Sequence, residues 1–351
     1  MTDVIDLSAE HLGLPTPDHV RQGAKDALAA GETHYTTRPG INPLRRAVAE
    51  KLAAENGIAV HPEREVLITC GEQEALWVAL HVLLEPGDEA ILAPPARECD
   101  ADIVRMARAT PHVLAADPDL GLRLDADAVA RAVTDRTKAI LLRAPGLIAP
   151  GEGELGALAS VAGEHDLTVI AVESLEPLLH DGAVHHSIAA LPGMAERTVT
   201  INGFSAIWGL EAWRVAYLAG PEALLEPMIA LKQALSICSP AVSQYAALAA
   251  VLGPQDRVAE ARAEVRARRA ALVGALDEGG ARCVAPAAGW HVLVQAGEEV
   301  ATAAGVRAAP GDTAGLSGWL RLSLTEPSER LRDAGRRLAA ALTGPESEET
   351  A

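Results

Sequence analysis

The chain has 351 residues, 49% of them hydrophobic but only 3% aromatic, so it can bury a large core built mainly from Ala, Leu and Val. Its formal charge of -18 argues against a nucleic-acid or anionic-membrane surface, which would repel it. The acidic start Met1-Thr2-Asp3-Val4-Ile5-Asp6 is no signal peptide, and no apolar run approaches the roughly 18 residues of a membrane span.

Helical periodicity runs through Asp18–Ala30 and Pro43–Asn56, with Pro43 at a natural first-turn position. Short apolar runs then recur at Val66–Thr69, Ala90–Ala93, Pro111–Leu114, Ala139–Leu142, Thr168–Val172, Thr198–Ile201 and Val215–Ala219. Most are separated by a helical segment, which predicts βαβ units and a sheet buried on both faces. Past Gly253 the pattern changes to a long charged amphipathic helix over Gln255–Gly279. Strands follow near Cys283–Val284, Gly289–Gln295 and Trp319–Leu324, then a helix over Ser328–Leu342. The polar, acidic end Gly344–Ala351 reads as disordered.

Cys70, Cys99, Cys238 and Cys283 are widely spaced with no CxxC pair, so reduced thiols in a cytoplasmic protein are expected. His185 and His186 are adjacent and should diverge, so no metal site is expected. Four lysines (Lys25, Lys51, Lys138, Lys232) stand against 26 arginines, and none lies in a catalytic motif.

The segments Tyr35-Thr36…Gly40…Leu44-Arg45, Thr69-x-Gly71, Pro86-Gly87-Asp88-Glu89, Asn202-Gly203-Phe204-Ser205, Trp213-Arg214 and Leu320-Arg321-Leu322-Ser323 are spread along nearly the whole chain. With them the chain resembles the class I/II aminotransferases, fold-type I enzymes that use pyridoxal phosphate. The resemblance implies an α/β fold, a large domain with a mostly parallel seven-stranded sheet between helices plus a smaller α+β domain. Residues 1–30 would form an N-terminal arm, 31–253 the large domain, 254–343 the small domain and 344–351 a tail. The small domain looks short for the family between Gly289 and Arg321.

The family's Schiff-base lysine follows Phe-Ser; here that residue is Ala206, which has no amine. The aspartate that pairs with the cofactor's ring nitrogen is Val172, the tyrosine on its phenolic oxygen is Leu175, and the asparagine beside that oxygen is Leu147. The ring-stacking aromatic is Arg97, which can still stack. Lys232 is the one faint stand-in for the lysine.

The resemblance leaves the anion contacts in place. Arg214 and Ser205 match the phosphate grip, Tyr35 the tyrosine that reaches the neighbouring subunit's phosphate, and Arg321 the fork for a substrate α-carboxylate. Glu72, at the start of a helix that would face the phosphate, suggests an internal carboxylate paired with Arg214. Glu173, expected on the cleft side, is a candidate general acid or base.

On these residues the chain is expected to have lost pyridoxal phosphate-dependent transamination, to use no cofactor, and to bind or transform a small anionic metabolite as a homodimer. Two alternatives stand beside that reading: a non-catalytic partner subunit (a pseudoenzyme), or an aminotransferase-like enzyme holding pyridoxal or pyridoxamine phosphate noncovalently.

Overall fold

The computed structural model describes residues 3–116, 122–311 and 316–343. The expected tail at 344–351 lies outside the described residues.

The first helix, α1 (Asp18–Ala29), buries Val20, Ala24 and Ala27, one helical face. α2 (Asn42–Lys51) carries a proline in its first turn, as its sequence predicts. The expected single helix to Asn56 instead widens into a π-helical segment over Leu52–Asn56 and stops at Gly57, whose φ is 69°. Within that segment Lys51 donates to Asn56 at 2.8 Å, and both side chains reach Glu176.

Strands and helices then alternate. β1 (Val66–Thr69), α3 (Glu72–Leu83), β2 (Glu89–Leu92), α4 (Glu98–Met106) and β3 (Thr110–Val113) come first. α5 (Ala126–Ala132), β4 (Thr137–Arg143), α6 (Glu152–Glu164), β5 (Thr168–Val172), β6 (Thr198–Gly203), the short α7 (Ser205–Trp208) and β7 (Ala216–Ala219) follow. The seven strands form one sheet in the order β1-β7-β6-β5-β4-β2-β3. Only β7 runs antiparallel to its neighbours, so the sheet is mostly parallel. Strands β1, β2 and β7 are buried throughout, as a sheet covered on both faces requires.

α8 (Glu222–Ser236) and α9 (Ala241–Leu252) lead to α10 (Asp256–Glu278). α1 crosses α9 closely because Gly23 has no Cβ; one there would sit 3.2 Å from the Tyr245 carbonyl and closer still to Ala249. A four-stranded antiparallel sheet follows in the order β10-β11-β9-β8, from β8 (Cys283–Val284), β9 (His291–Gln295), β10 (Ala309–Pro310) and β11 (Trp319–Ser323). β9 starts two residues later than its apolar run predicts, because Gly289 sits at φ 84° and breaks the pleat. β10 was not foreseen. α11 (Glu298–Ala303) and α12 (Ser328–Leu342) close the chain, and α12 packs on α10.

The N-terminal stretch joins this second sheet region from outside, pairing Ile5–Asp6 in parallel with Val306–Arg307. Among the described residues no helix is long and apolar enough to cross a membrane.

Candidate active site

Parallel strands leave a crevice at their carboxyl ends, where ligands of such sheets bind. Here β4 ends at Arg143, β5 at Val172 and β6 at Gly203, and these residues line one cleft of about 660 Å³. Its other walls come from the start of α3, from the β9 entry and from β11.

Cations dominate its description. Arg97, Arg143, Arg214 and Arg321 all line it, together with Glu10, Glu72 and Glu211. Arg143 is 8% exposed, and its position explains its partners: a buried strand that ends on arginine must neutralise it nearby. Its Nε and Nη2 donate to the two oxygens of Asp100, each at 2.6 Å, and its Nη1 donates to Glu72 at 2.5 Å. Asp100 is fully buried and also accepts from the Arg97 backbone N–H at 3.0 Å. Ser174 Oγ donates to the other Glu72 oxygen at 2.8 Å.

Burial by itself would raise the Glu72 carboxyl. Arg143, Arg97 and the Ser174 hydroxyl overcome that and bring it down to about 2. Arg143 is itself pushed up against its desolvation by Asp100 and Glu72. The expected Glu72–Arg214 pair is therefore not formed, because Glu72 is already claimed from the other side.

Arg214 is exposed, takes φ 51°, and has no hydrogen-bond or ion-pair partner among the described residues. Its guanidinium lies against Gly71, where a Cβ would collide with it. Ser205, first residue of α7, lines the cleft beside it. The side chain of Ala206 lies outside the described parts, although its backbone is in α7.

Val172, Leu147 and Leu175 also line the cleft and make one apolar wall. Trp290 and His291 line the same cleft. His291 is held neutral, pushed down to about 3 by burial and by Arg97.

Three sequence-predicted residues sit elsewhere. Glu173, the candidate acid or base, is 1% exposed and does not line the cleft. Adjacent residues of an extended chain point to opposite faces, so Val172 and Ser174 take the cleft and Glu173 turns under the sheet. There it accepts from Ser187 Oγ at 2.6 Å and Asn56 Nδ2 at 3.3 Å, with His185 Nε2 at 3.1 Å. Tyr35 is 80% exposed and is not part of this chain's cleft. Lys232 is fully buried off the cleft, and its Nζ has no hydrogen-bond partner among the described residues, which removes it as a stand-in amine.

The two histidines do diverge. His186 faces Glu152, while His185 joins Glu173 and Glu176 with ligand atoms within 4.8 Å of one another. A metal could be held there, which the expectation of no metal site did not foresee. The Lys51 ammonium and the Asn56 amide already serve those carboxylates.

Glu10, Arg143, Trp290 and His291 were missed in the sequence. For Arg143 a signal was present: an arginine closing the buried run Ala139-Ile140-Leu141-Leu142. Glu10 carries none, since its cleft position depends on a contact 311 residues away.

Residues 2–338 match the family model described as aminotransferase class I and II. A probable aspartate/prephenate aminotransferase of Thermus aquaticus is 35% identical over 97% of this chain and 92% of its own length. An aspartate aminotransferase of Pyrococcus abyssi is 32% identical over the same shares. Among solved structures, the aromatic aminotransferase of Pyrococcus horikoshii superposes with a TM-score of 0.93 at 32% identity, covering 97% of this chain and 96% of that one. The aspartate aminotransferase of Thermus thermophilus with maleate gives 0.91 at 33%, covering 97% and 92%.

These relatives overturn the expectation that the chain has lost pyridoxal phosphate-dependent transamination. They equally overturn the readings as a pseudoenzyme, as PLP-independent and as a protein without a cofactor, because relatives 31–35% identical along nearly the full chain are named as aminotransferases. The physical reason is that a cofactor is held by many contacts, of which the covalent lysine and the ring aspartate are two. Arg214 and Ser205 remain in the cleft, and contacts of that kind can hold a phosphate without the lysine.

Proposed function

This chain belongs to the class I and II aminotransferase family, and we propose that it is an aminotransferase-like enzyme holding pyridoxal or pyridoxamine phosphate noncovalently. One observation carries the reading: Arg214, exposed and unpaired among the described residues, seated on a glycine at the cleft end of the sheet. An unpaired guanidinium favours an anion, and phosphate suits its fork.

The residues fit the two ends of such a cofactor unequally. Arg214 and Ser205 suit the phosphate, and Val172, Leu147 and Leu175 offer apolar side chains to a heteroaromatic ring. Residue 206 offers no amine, and Val172 offers no countercharge to a protonated ring nitrogen. The covalent and ring-nitrogen positions therefore do not fit, and no covalent step can be written for residue 206. What the chain's own residues do is bind and orient: Arg214 anchors the anion, the aliphatic wall keeps water from the ring, and Arg321 offers a cation to a ligand carboxylate.

The substrate class supported by these cations is a small carboxylate of amino-acid type, in line with the aspartate, prephenate and aromatic substrates in the relatives' names. The working form we propose is a homodimer, in which Tyr35, 80% exposed here, meets the second copy.

Pyridoxamine phosphate, which cannot form an imine with lysine, is the cleanest probe. The chain should bind it reversibly by calorimetric titration, and gel filtration should strip both it and pyridoxal phosphate. Arg214→Ala should weaken binding by roughly 10- to 100-fold, the range of a charge-assisted hydrogen bond of about 1.5–3 kcal/mol. Absence of binding to the wild type, or an adduct that survives borohydride and gel filtration, rejects the reading.

A further inference from the structure

Arg321 enters the cleft from β11 with only 16% of its side chain exposed, and its ion-pair partner is Glu10. The two halves of that pair differ in kind. Arg321 is built into a sheet, its backbone paired with Leu293 on one side and Ala309 on the other. Glu10 is 57% exposed and sits on a stretch with no helix or strand.

The backbone around Glu10 is nevertheless fastened. Leu7 and Leu12 are fully buried; Leu7 N–H donates to the Arg307 carbonyl at 2.7 Å, and the Leu7 carbonyl accepts from Ser323 at 2.8 Å. The Leu12 carbonyl accepts from Arg268 at 3.1 Å, and the His11 carbonyl from Thr325 at 3.0 Å. Anchors on both sides thus hold a carboxylate at the cleft edge that contributes nothing to the core.

We propose that Glu10 is an internal competitor: its carboxylate occupies the Arg321 subsite, and a ligand carboxylate enters by displacing it. A rigid, desolvated cation facing a solvated, displaceable carboxylate is the arrangement such an exchange needs. Glu10 keeps more than half of its side chain in solvent, which discounts the pair, so displacement is cheap but measurable. Glu10 then sets the affinity threshold for carboxylate ligands while Arg321 supplies the attraction. The inference rests on this cleft being the ligand site, but it needs no cofactor.

The test is calorimetric titration of the full chain with succinate, without pyridoxal or pyridoxamine phosphate. Glu10→Gln keeps the side-chain size and removes the competing charge, and should tighten succinate binding by roughly twofold to fivefold. Adding Arg321→Gln should abolish that gain. Thermal melting of each variant checks that the fold is intact, which the exposure of Glu10 favours. An unchanged or weaker affinity in Glu10→Gln overturns the proposal, as does a gain that survives the loss of Arg321, or no succinate binding by either protein. Because succinate carries no phosphate and no ring, failure here leaves the pyridoxamine phosphate titration standing, and failure there leaves this exchange standing.

Discussion

Arg143→Met should destabilise the protein by about 3–5 kcal/mol, the cost of removing one partner from a buried ion pair. The methionine fills much of the space, so the loss is electrostatic: Asp100, fully buried, keeps no cation, and Glu72 loses its shortest contact. Urea denaturation followed by circular dichroism measures it. Adding Asp100→Asn should recover part of the loss, because the stranded charge is then gone; full additivity of the two changes would show that they do not interact. The pH dependence has a fixed sign. Glu72 is depressed to about 2 from its ordinary 4.5, so its contribution to stability is complete above 4.5 and disappears as pH falls from there through about 2. In Arg143→Met that acid sensitivity should flatten over the same window. The variant should also bind pyridoxamine phosphate less well, since Glu72 then presents less compensated charge beside Arg214.

The same network shows what could and could not be read in the chain. Short apolar runs placed all seven strands of the large sheet, because burial on both faces writes itself into the composition of the inner strands, although the edge strand β3 has no buried residue. Boundaries differ where local features decide them: Gly289 delays β9, and the helix widens over Leu52–Asn56, where Lys51 and Asn56 both reach the distant Glu176. The site was legible in its residue identities and less so in its pairings. Arg214, Ser205, Arg97 and Arg321 do line one cleft. Glu72 pairs with Arg143, 71 residues further along at the end of β4, which carries no motif to mark it in place of Arg214. Glu173 was assigned the wrong face, although the alternation along Val172-Glu173-Ser174 would have turned it away once Val172 was placed in the cleft. The largest misjudgement was of weight. Two missing side chains outweighed the rest, whereas the chain matches relatives named as aminotransferases along almost its whole length and keeps a cleft lined by an exposed arginine.

Ala206→Lys is the substitution on which the cofactor reading turns. It should convert reversible binding of pyridoxal phosphate into retention: the variant should emerge from gel filtration still carrying the cofactor, and borohydride should fix about one equivalent to residue 206. The wild type under the same treatment should emerge bare. Retention need not bring fast amino-group exchange, because Val172 is 4% exposed at the end of β5 and offers no carboxylate to a protonated ring. The missing partner of such a buried pair is worth about 3–5 kcal/mol, or several hundred-fold or more in rate. Single-turnover measurements with an amino-acid donor should therefore show a modest rate in Ala206→Lys and a rise of roughly that factor when Val172→Asp is added. Val172→Asp without bound cofactor should be destabilised, since its carboxylate would be buried at the end of β5 beside Arg143, whose guanidinium Asp100 and Glu72 already occupy. Cofactor should restore part of that stability, and the size of the thermal shift on adding it measures the pairing directly. A lysine variant that elutes free of cofactor would show that residue 206 does not reach the cleft, and would move the search for the reacting amine to the ligand itself.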